Sequence, residues 1–236
     1  MKKYILLLPV FILSCSTFNI ESRITDFSQF PSYGLSSGSS TTIDYANKDE
    51  VLNSIGYPAN QSEVIKAVWK YIKSTYRSAP ITDGANVRNV NELIRTKTLR
   101  HCGEYGVLWV SLLRLYGVPC VLISSLNLAE ANNLELTSWS GHKFIEVFIN
   151  SKYILLDSTR GLYFDEMLTD RIIPIKIESF APKGFVVMMR CFDPTNVIKS
   201  NSDWSTYIKE TKEYFIEFGY EPKEYWNGHR IEDLKI

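Results

Sequence analysis

From Cys102 to Tyr116 the chain reads CGEYGVLWVSLLRLY, a helical stretch with apolar side chains on nearly every side. Such a helix cannot lie on a surface; it has to be enclosed by the rest of the molecule. Gly117 is a natural stop and Pro119 prevents continuation. The next residues, CVLISSL, read as a strand, so the chain passes from helix to sheet inside its own core. With 45% hydrophobic residues among 236, there is enough apolar material to wrap that helix. The helix opens on a cysteine, where packing requires no thiol.

Around this centre the other elements follow from spacing. Val64, Val68, Ile72 and Tyr76 recur every four residues, with Ile65 and Trp69 beside them, which predicts an amphipathic helix. Asn60 is placed to cap it, with Glu63 completing a capping box. NVNELIRTK predicts a second, short helix capped by Asn89 or Asn91. Asn127 to Gly141 reads as a polar loop or short helix. HKFIEVFINSKYILLDS predicts a hairpin, since two arms rich in β-branched and aromatic residues meet at Asn150-Ser151. RIIPIKIE and GFVVMMRCF predict further strands, and Ser205 to Phe218 a terminal helix. Helices first and a mainly antiparallel sheet after them make an α+β plan.

The hairpin also predicts a register. With a two-residue loop, Ile149 faces Lys152 and Phe144 faces Asp157. Side chains alternate between faces, so His142 and Phe144 share one. Asp157 then lies on the histidine's face, one diagonal step away. Ile145, Val147, Ile149, Ile154 and Leu156 collect on the other face as a core surface. A one-residue slip would scatter both sets, and the apolar pattern opposes it. A helix N-terminus favours negative charge and lowers a thiol's pKa. A histidine in reach would take the proton, and an aspartate would fix its tautomer. The helix's first peptide N–H groups could stabilise an oxyanion. Cys102, His142 and Asp157 are therefore candidate parts for acyl transfer through a thioester, Asp165 being the weaker choice of acid. Glu104 and Glu146 are expected as buried polar partners rather than metal ligands. His101 is expected to be structural and His229 to lie at the surface. Trp69, Tyr76 and Trp139 could line the cleft, although aromatics more often belong to the core, and only Trp139 is kept as a substrate contact.

The N-terminus, MKKYILLLPVFILSCST, has two lysines, a short apolar run and then Ser14-Cys15. That is the layout of a secretory signal, and the run is too short for a comfortable membrane-spanning helix. ILSC resembles the bacterial lipobox, which implies lipidation of Cys15 and an extracytoplasmic protein anchored to a bacterial membrane. The expected organisation is a signal peptide over 1–14, a lipidated terminus and flexible tether over 15–42, containing GLSSGSSTT, and a folded domain over 43–236. Basic and acidic residues balance at 26 each, so no long-range field draws the chain to nucleic acid. No CxxC pair exists, which removes zinc-ribbon and thioredoxin readings. Cys120 and Cys191 are open to two readings, a disulfide or two separate buried thiols.

RHCGEYGVLWVSLLRLYGVPC followed by GHKFIEVFINSKYILLDSTRG resembles the core of the transglutaminase-like superfamily. The pattern is a cysteine opening a helix that ends in a Gly-x-Pro turn, then a His-x-aromatic-x-Glu strand, then a strand ending in Asp. The resemblance spans roughly residues 59–160. It implies a papain-like α+β core, with the cysteine helix packed on the antiparallel sheet that carries the histidine and the acid. In that pattern Cys102 is the nucleophile, His142 the base and Asp157 the orienting acid. His101 stands where a small residue is common, Phe144 where Trp is common, and Cys120-Val121 where Ala-Arg is common. The implied activity is that of a cysteine peptidase or amidase, or of a transglutaminase-like acyltransferase, acting on a protein or peptide without a cofactor. The reading from another class is a binding or scaffold module that kept the fold without turnover.

Overall fold

The computed structural model describes residues 42–81, 87–131, 140–166, 172–178, 180–191, 222 and 224–235. The expected signal peptide, Cys15, nearly all of the expected tether, Trp139 and the expected helix over 205–218 lie outside them. The described part is α+β, as the pattern of elements predicts. Among the described residues no helix is long and apolar enough to cross a membrane.

Helix α1 (Tyr45–Ile55) is followed by α2 (Gln61–Thr75), β1 (Arg77–Ser78), α3 (Val90–Thr96), β2 (Thr98–Leu99) and α4 (Cys102–Leu115). Strand β3 (Cys120–Asn127), short α5 (Leu128–Ala131) and the hairpin β4 (Gly141–Ile149) and β5 (Lys152–Asp157) come next. Then come β6 (Leu162–Phe164), β7 (Ile172–Ile173), β8 (Phe185–Cys191) and β9 (His229–Arg230), with a 3-10 turn at Ile231–Asp233.

Asn60 caps α2, its side chain accepting the Glu63 N–H at 3.0 Å. Of the two candidates for α3, Asn89 is the cap, accepting from the Glu92 N–H. Asn91 instead accepts the Asp44 N–H and donates to the Thr42 carbonyl, both at 2.8 Å, and so ties down the entry to α1. Helix α1 escapes the sequence pattern for a physical reason. Val51 is its one buried side chain, which leaves no apolar stripe to detect.

The large sheet has the order β7-β8-β3-β4-β5-β6-β9, and every pairing in it is antiparallel. The central hairpin has the expected register, with Ile149 opposite Lys152 and Phe144 opposite Asp157. Its turn places both Asn150 (φ 47°) and Ser151 (φ 65°) in the left-handed region, as a two-residue loop matching strand twist requires. RIIPIKIE yields only the two-residue β7, because Pro174 lacks the N–H needed to extend the ladder.

Both faces of this sheet are covered. On one, Ile145, Val147, Ile149, Ile154 and Leu156 pack with α2, α3 and α4. On the other, Ile123, Phe144, Leu155, Phe164, Phe185 and Val187 pack against Ile173, Ile175 and Ala181. Every residue of β3 is buried, which explains its continuous apolar reading. Of the aromatics weighed for the cleft, Trp69 and Tyr76 are core residues, each 8% exposed. Trp69 stacks on Trp109 with ring centroids 6.1 Å apart.

Candidate functional site

Cys102 is the first residue of α4 and is half-buried. Its helix starts from His101, which has extended backbone and makes no side-chain cap; the Glu104 N–H donates to the His101 carbonyl at 3.0 Å, while the helix start still presents its positive end to the sulfur. Glu104, two residues on, is fully buried. Its carboxylate takes Arg88 through Nε and Nη2, both at 2.8 Å. It also takes the backbone N–H and Nε of Arg100, again at 2.8 Å. Burial alone would raise this carboxyl; the hydrogen bonds from Arg88 and Arg100 overcome it and hold the group at about 2. The turn leading to Cys102 is thus clamped by an ion cluster that Arg88 also ties to Thr96 and Thr98. Arg100 could be paired with Glu104 from its four-residue spacing, but no sequence signal pointed to Arg88.

Strand β5 ends at Asp157, opposite Phe144. Past that pair β5 leaves the ladder, and the Ser158 hydroxyl donates to the Lys143 carbonyl at 3.3 Å. The backbone of Lys143 hydrogen-bonds the Cys102 sulfur there. The start of α4 therefore inserts its sulfur into a seam between β4 and the departing β5. The seam is braced from behind, where Trp109 Nε1 donates to the Ser158 carbonyl at 3.1 Å. On the other flank of β4, Ser125 Oγ donates to the His142 carbonyl at 2.9 Å. A register shift between Ser124 and Ser125 lies at the same level of the sheet.

His142 is 8% exposed and Asp157 is fully buried. The His142 Nε2 meets Asp157 Oδ1 at 2.9 Å. Asp157 Oδ1 also accepts the Thr159 N–H, the Thr159 hydroxyl and the Arg160 N–H at 3.0–3.1 Å. The His142 side chain hydrogen-bonds the Cys102 thiol as well. With Nε2 on the acid, Nδ1 is the ring atom that serves the sulfur.

Electrostatics follow from this geometry. Burial pulls the His142 ring down, but the bonds to Asp157 and Cys102 outweigh it and set it at about 9. Burial pushes the Cys102 thiol up, yet the His142 bond, its charge and the Lys143 cation bring it below a free thiol. Asp157 stays below the usual carboxylate range despite burial, held by His142, Thr159 and Arg160. The charged form of the pair, thiolate and imidazolium, is therefore favoured. Its chemical capacity is nucleophilic attack by sulfur coupled to proton delivery by the ring.

The remaining candidates separate from this group. Glu146 pairs with Arg190 at 2.8 Å, so neither it nor Glu104 converges with His142 on a common point. Among the described residues no cluster of three His, Cys, Asp or Glu side chains could hold a metal. Asp165 is exposed beyond β6. His229 is exposed at the sheet edge, on β9. His101 is partly buried, and its Nε2 has no hydrogen-bond partner. Burial holds its ring below the ordinary histidine value, so it is neutral at physiological pH. Cys120 is a free, fully buried thiol, and burial pushes it up to about 11. The side chain of Cys191 lies outside the described residues. Thr159 and the Lys143 backbone, both in contact with these groups, carried no signal of their own in the sequence.

Residues 49–158 match the family model of the transglutaminase-like superfamily, a span that includes Cys102, His142 and Asp157. Among solved structures, the chain is similar to the crystal structure of a candidate cysteine protease from Cytophaga hutchinsonii. The identity is 16% and the TM-score 0.46, with 78% of this chain and 53% of that one covered. It is also similar to that of a candidate protease from Parabacteroides distasonis ATCC 8503. There the identity is 16% and the TM-score 0.38, covering 55% of this chain and 25% of that one. This chain therefore spans about half the length of the first protein and a quarter of the second. No curated protein matches the sequence.

Proposed function

We propose that the protein, whose residues 49–158 match the family model of the transglutaminase-like superfamily, is a thiol-dependent enzyme that opens peptide or side-chain amides through an acyl-enzyme on Cys102. One observation carries the reading: the imidazole of His142 bridges the Cys102 thiol and a buried aspartate held at 2.9 Å. The Cys102 thiolate attacks the amide carbonyl carbon. The imidazolium of His142 gives its proton to the departing nitrogen as the C–N bond breaks, leaving a thioester. Water then attacks the thioester, His142 takes its proton, and the acid leaves as the thiolate re-forms. An amine in place of water would give transamidation. Hydrolysis is the favoured outcome, since water is the more abundant acceptor. Asp157 acts by orienting the ring and supporting its charge. The lipobox-like ILSC supports an extracytoplasmic enzyme tethered to a bacterial membrane through lipid on Cys15.

Iodoacetamide alkylation of Cys102 tests this. The rate should exceed that of a free cysteine at neutral and mildly acidic pH, because the thiolate persists there, and the advantage should shrink on the alkaline side, where a free thiol ionises as well. His142→Ala should abolish the advantage at mildly acidic pH. A thiol no faster than free cysteine would leave a binding module instead. A glutamine peptide offered with a labelled primary amine then separates hydrolysis, which releases acid alone, from amine incorporation.

A further inference from the structure

A series of aromatic rings leads from His142 to solvent. Phe144 meets the His142 ring edge-on with centroids 4.9 Å apart, and Phe185 lies against it at 5.8 Å, tilted by 32°. Both phenylalanines are fully buried. Phe180 continues the series, its centroid 6.1 Å from that of Phe185, and is 36% exposed. A single exposed phenyl would need no explanation, but this one is held in place. Its N–H donates to the Ile177 carbonyl at 2.9 Å, and its carbonyl accepts Nδ2 of Asn127 at 2.6 Å. Asn127 is 3% exposed, and its own N–H donates to the Ser140 carbonyl at 3.0 Å. One buried amide residue thus fixes both the backbone that carries the exposed ring and the segment that enters β4 two residues before His142.

Strand order gives this ring a side. In β8-β3-β4-β5, the sulfur occupies the seam on the β5 flank of β4, whereas Phe185 and Phe180 belong to the β8 flank. His142 stands between them. In the reaction proposed above, the acyl half of the substrate stays on the sulfur. The half that departs takes its proton from His142 and must extend past that ring, away from the sulfur.

We infer that Phe180 is a specificity-determining residue. It forms an apolar subsite for the departing half of the substrate, selecting peptides with a large aliphatic or aromatic side chain at the second or third residue after the cleaved bond. Ring steps of 5.8 and 6.1 Å keep the exposed phenyl within the span of three or four extended residues from His142, at roughly 3.3 Å per residue. A ring on a tied backbone and packed against Phe185 has less freedom to lose on binding. This inference rests on the acyl-enzyme reading.

The test is a mixed synthetic peptide library, digested by the full-length protein and read by mass spectrometry on both sides of each cut. Wild type should enrich large apolar residues at the second or third position of the departing half. Phe180→Ala should lower kcat/KM for those peptides about tenfold more than for peptides with Gly or Ser there. Phe180→Trp should keep the preference. An unchanged iodoacetamide rate at Cys102 in both variants shows that the relay is intact. Cleavage by wild type without that preference, or an equal loss for all peptides in Phe180→Ala, overturns the subsite alone. Cleavage that survives Cys102→Ala, or a library left intact by wild type, overturns the acyl-enzyme reading on which it rests.

Discussion

Four donors converge on one oxygen of Asp157: the His142 ring, the Thr159 hydroxyl and the N–H groups of Thr159 and Arg160. The other oxygen is buried without a hydrogen bond, with Arg160 Nη1 3.8 Å away. The carboxylate is thus ionised and fixed in orientation, and the ring it holds has one tautomer available when neutral. In Asp157→Asn the amide oxygen can still accept from the Thr159 and Arg160 backbone, so the turn should survive. The ring would lose its anionic partner and its raised pKa. We expect activity to fall by roughly 10²–10⁴-fold, with the acid limb of Cys102 alkylation moving to higher pH as the imidazolium that stabilises the thiolate is lost. Circular dichroism should be unchanged; a collapse of the fold instead would make Asp157 a structural residue. The pairing of His142 with Asp157 was legible because strand side chains repeat every two residues, and a two-residue turn leaves one register. Thr159 was not, since its contribution depends on the chain reversing after Asp157, which alternation does not encode.

Where α4 begins, the Glu104 cluster has two cations for one carboxylate, all nearly out of water. Replacing Glu104 by Gln would leave Arg88 and Arg100 buried beside a neutral amide, at a cost of roughly 3–5 kcal/mol. The sign of the pH dependence is set by the depressed value of about 2. The cluster contributes its full stability above about 4.5, the ordinary value, and loses it as pH falls towards 2. Urea midpoints measured from pH 6 down to pH 2.5 should therefore decline steeply in wild type and more shallowly in Glu104→Gln. Equal slopes would show that the cluster does not govern acid stability. Helix α4 itself was readable because its apolar residues surround the axis and Gly117 ends it. The clamp was half readable: Arg100 and Glu104 are four positions apart across the start of α4, while Arg88 arrives from a loop whose path only tertiary packing decides. Helix α1 shows the reverse limit, a regular element without a periodic signal.

At the scale of the molecule, the two sheet faces are closed by different parts of the chain. Sequence patterning exposed the face under α4, where five alternating residues of the hairpin agree. It did not reveal the short outer strands β6 and β9, whose pairing brings together residues more than sixty positions apart. That pairing matters for the seam. The Ile231 N–H donates to the Gly161 carbonyl at 3.0 Å, and Trp69 Nε1 donates to Glu232 at 3.0 Å. Gly161 has φ 65°, and a Cβ there would lie 2.1 Å from the Trp69 ring. Ile231 and Leu234 are fully buried in the helix-side core. Ile231→Ala should cost roughly 2–5 kcal/mol, seen as a lower Tm. It should also slow Cys102 alkylation, because the turn after Asp157 loses its outer brace. A lower Tm with alkylation unchanged would uncouple the two.

The contact between Gly161 and the 229–234 segment also has a consequence for how the protein comes into being. Translation delivers Cys102 first and Asp157 some fifty residues later, but the strand that steadies the turn after Asp157 follows roughly seventy residues further on. A nascent chain would hold Cys102, His142 and Asp157 without that brace until the 229–234 segment has left the ribosome and paired with β6.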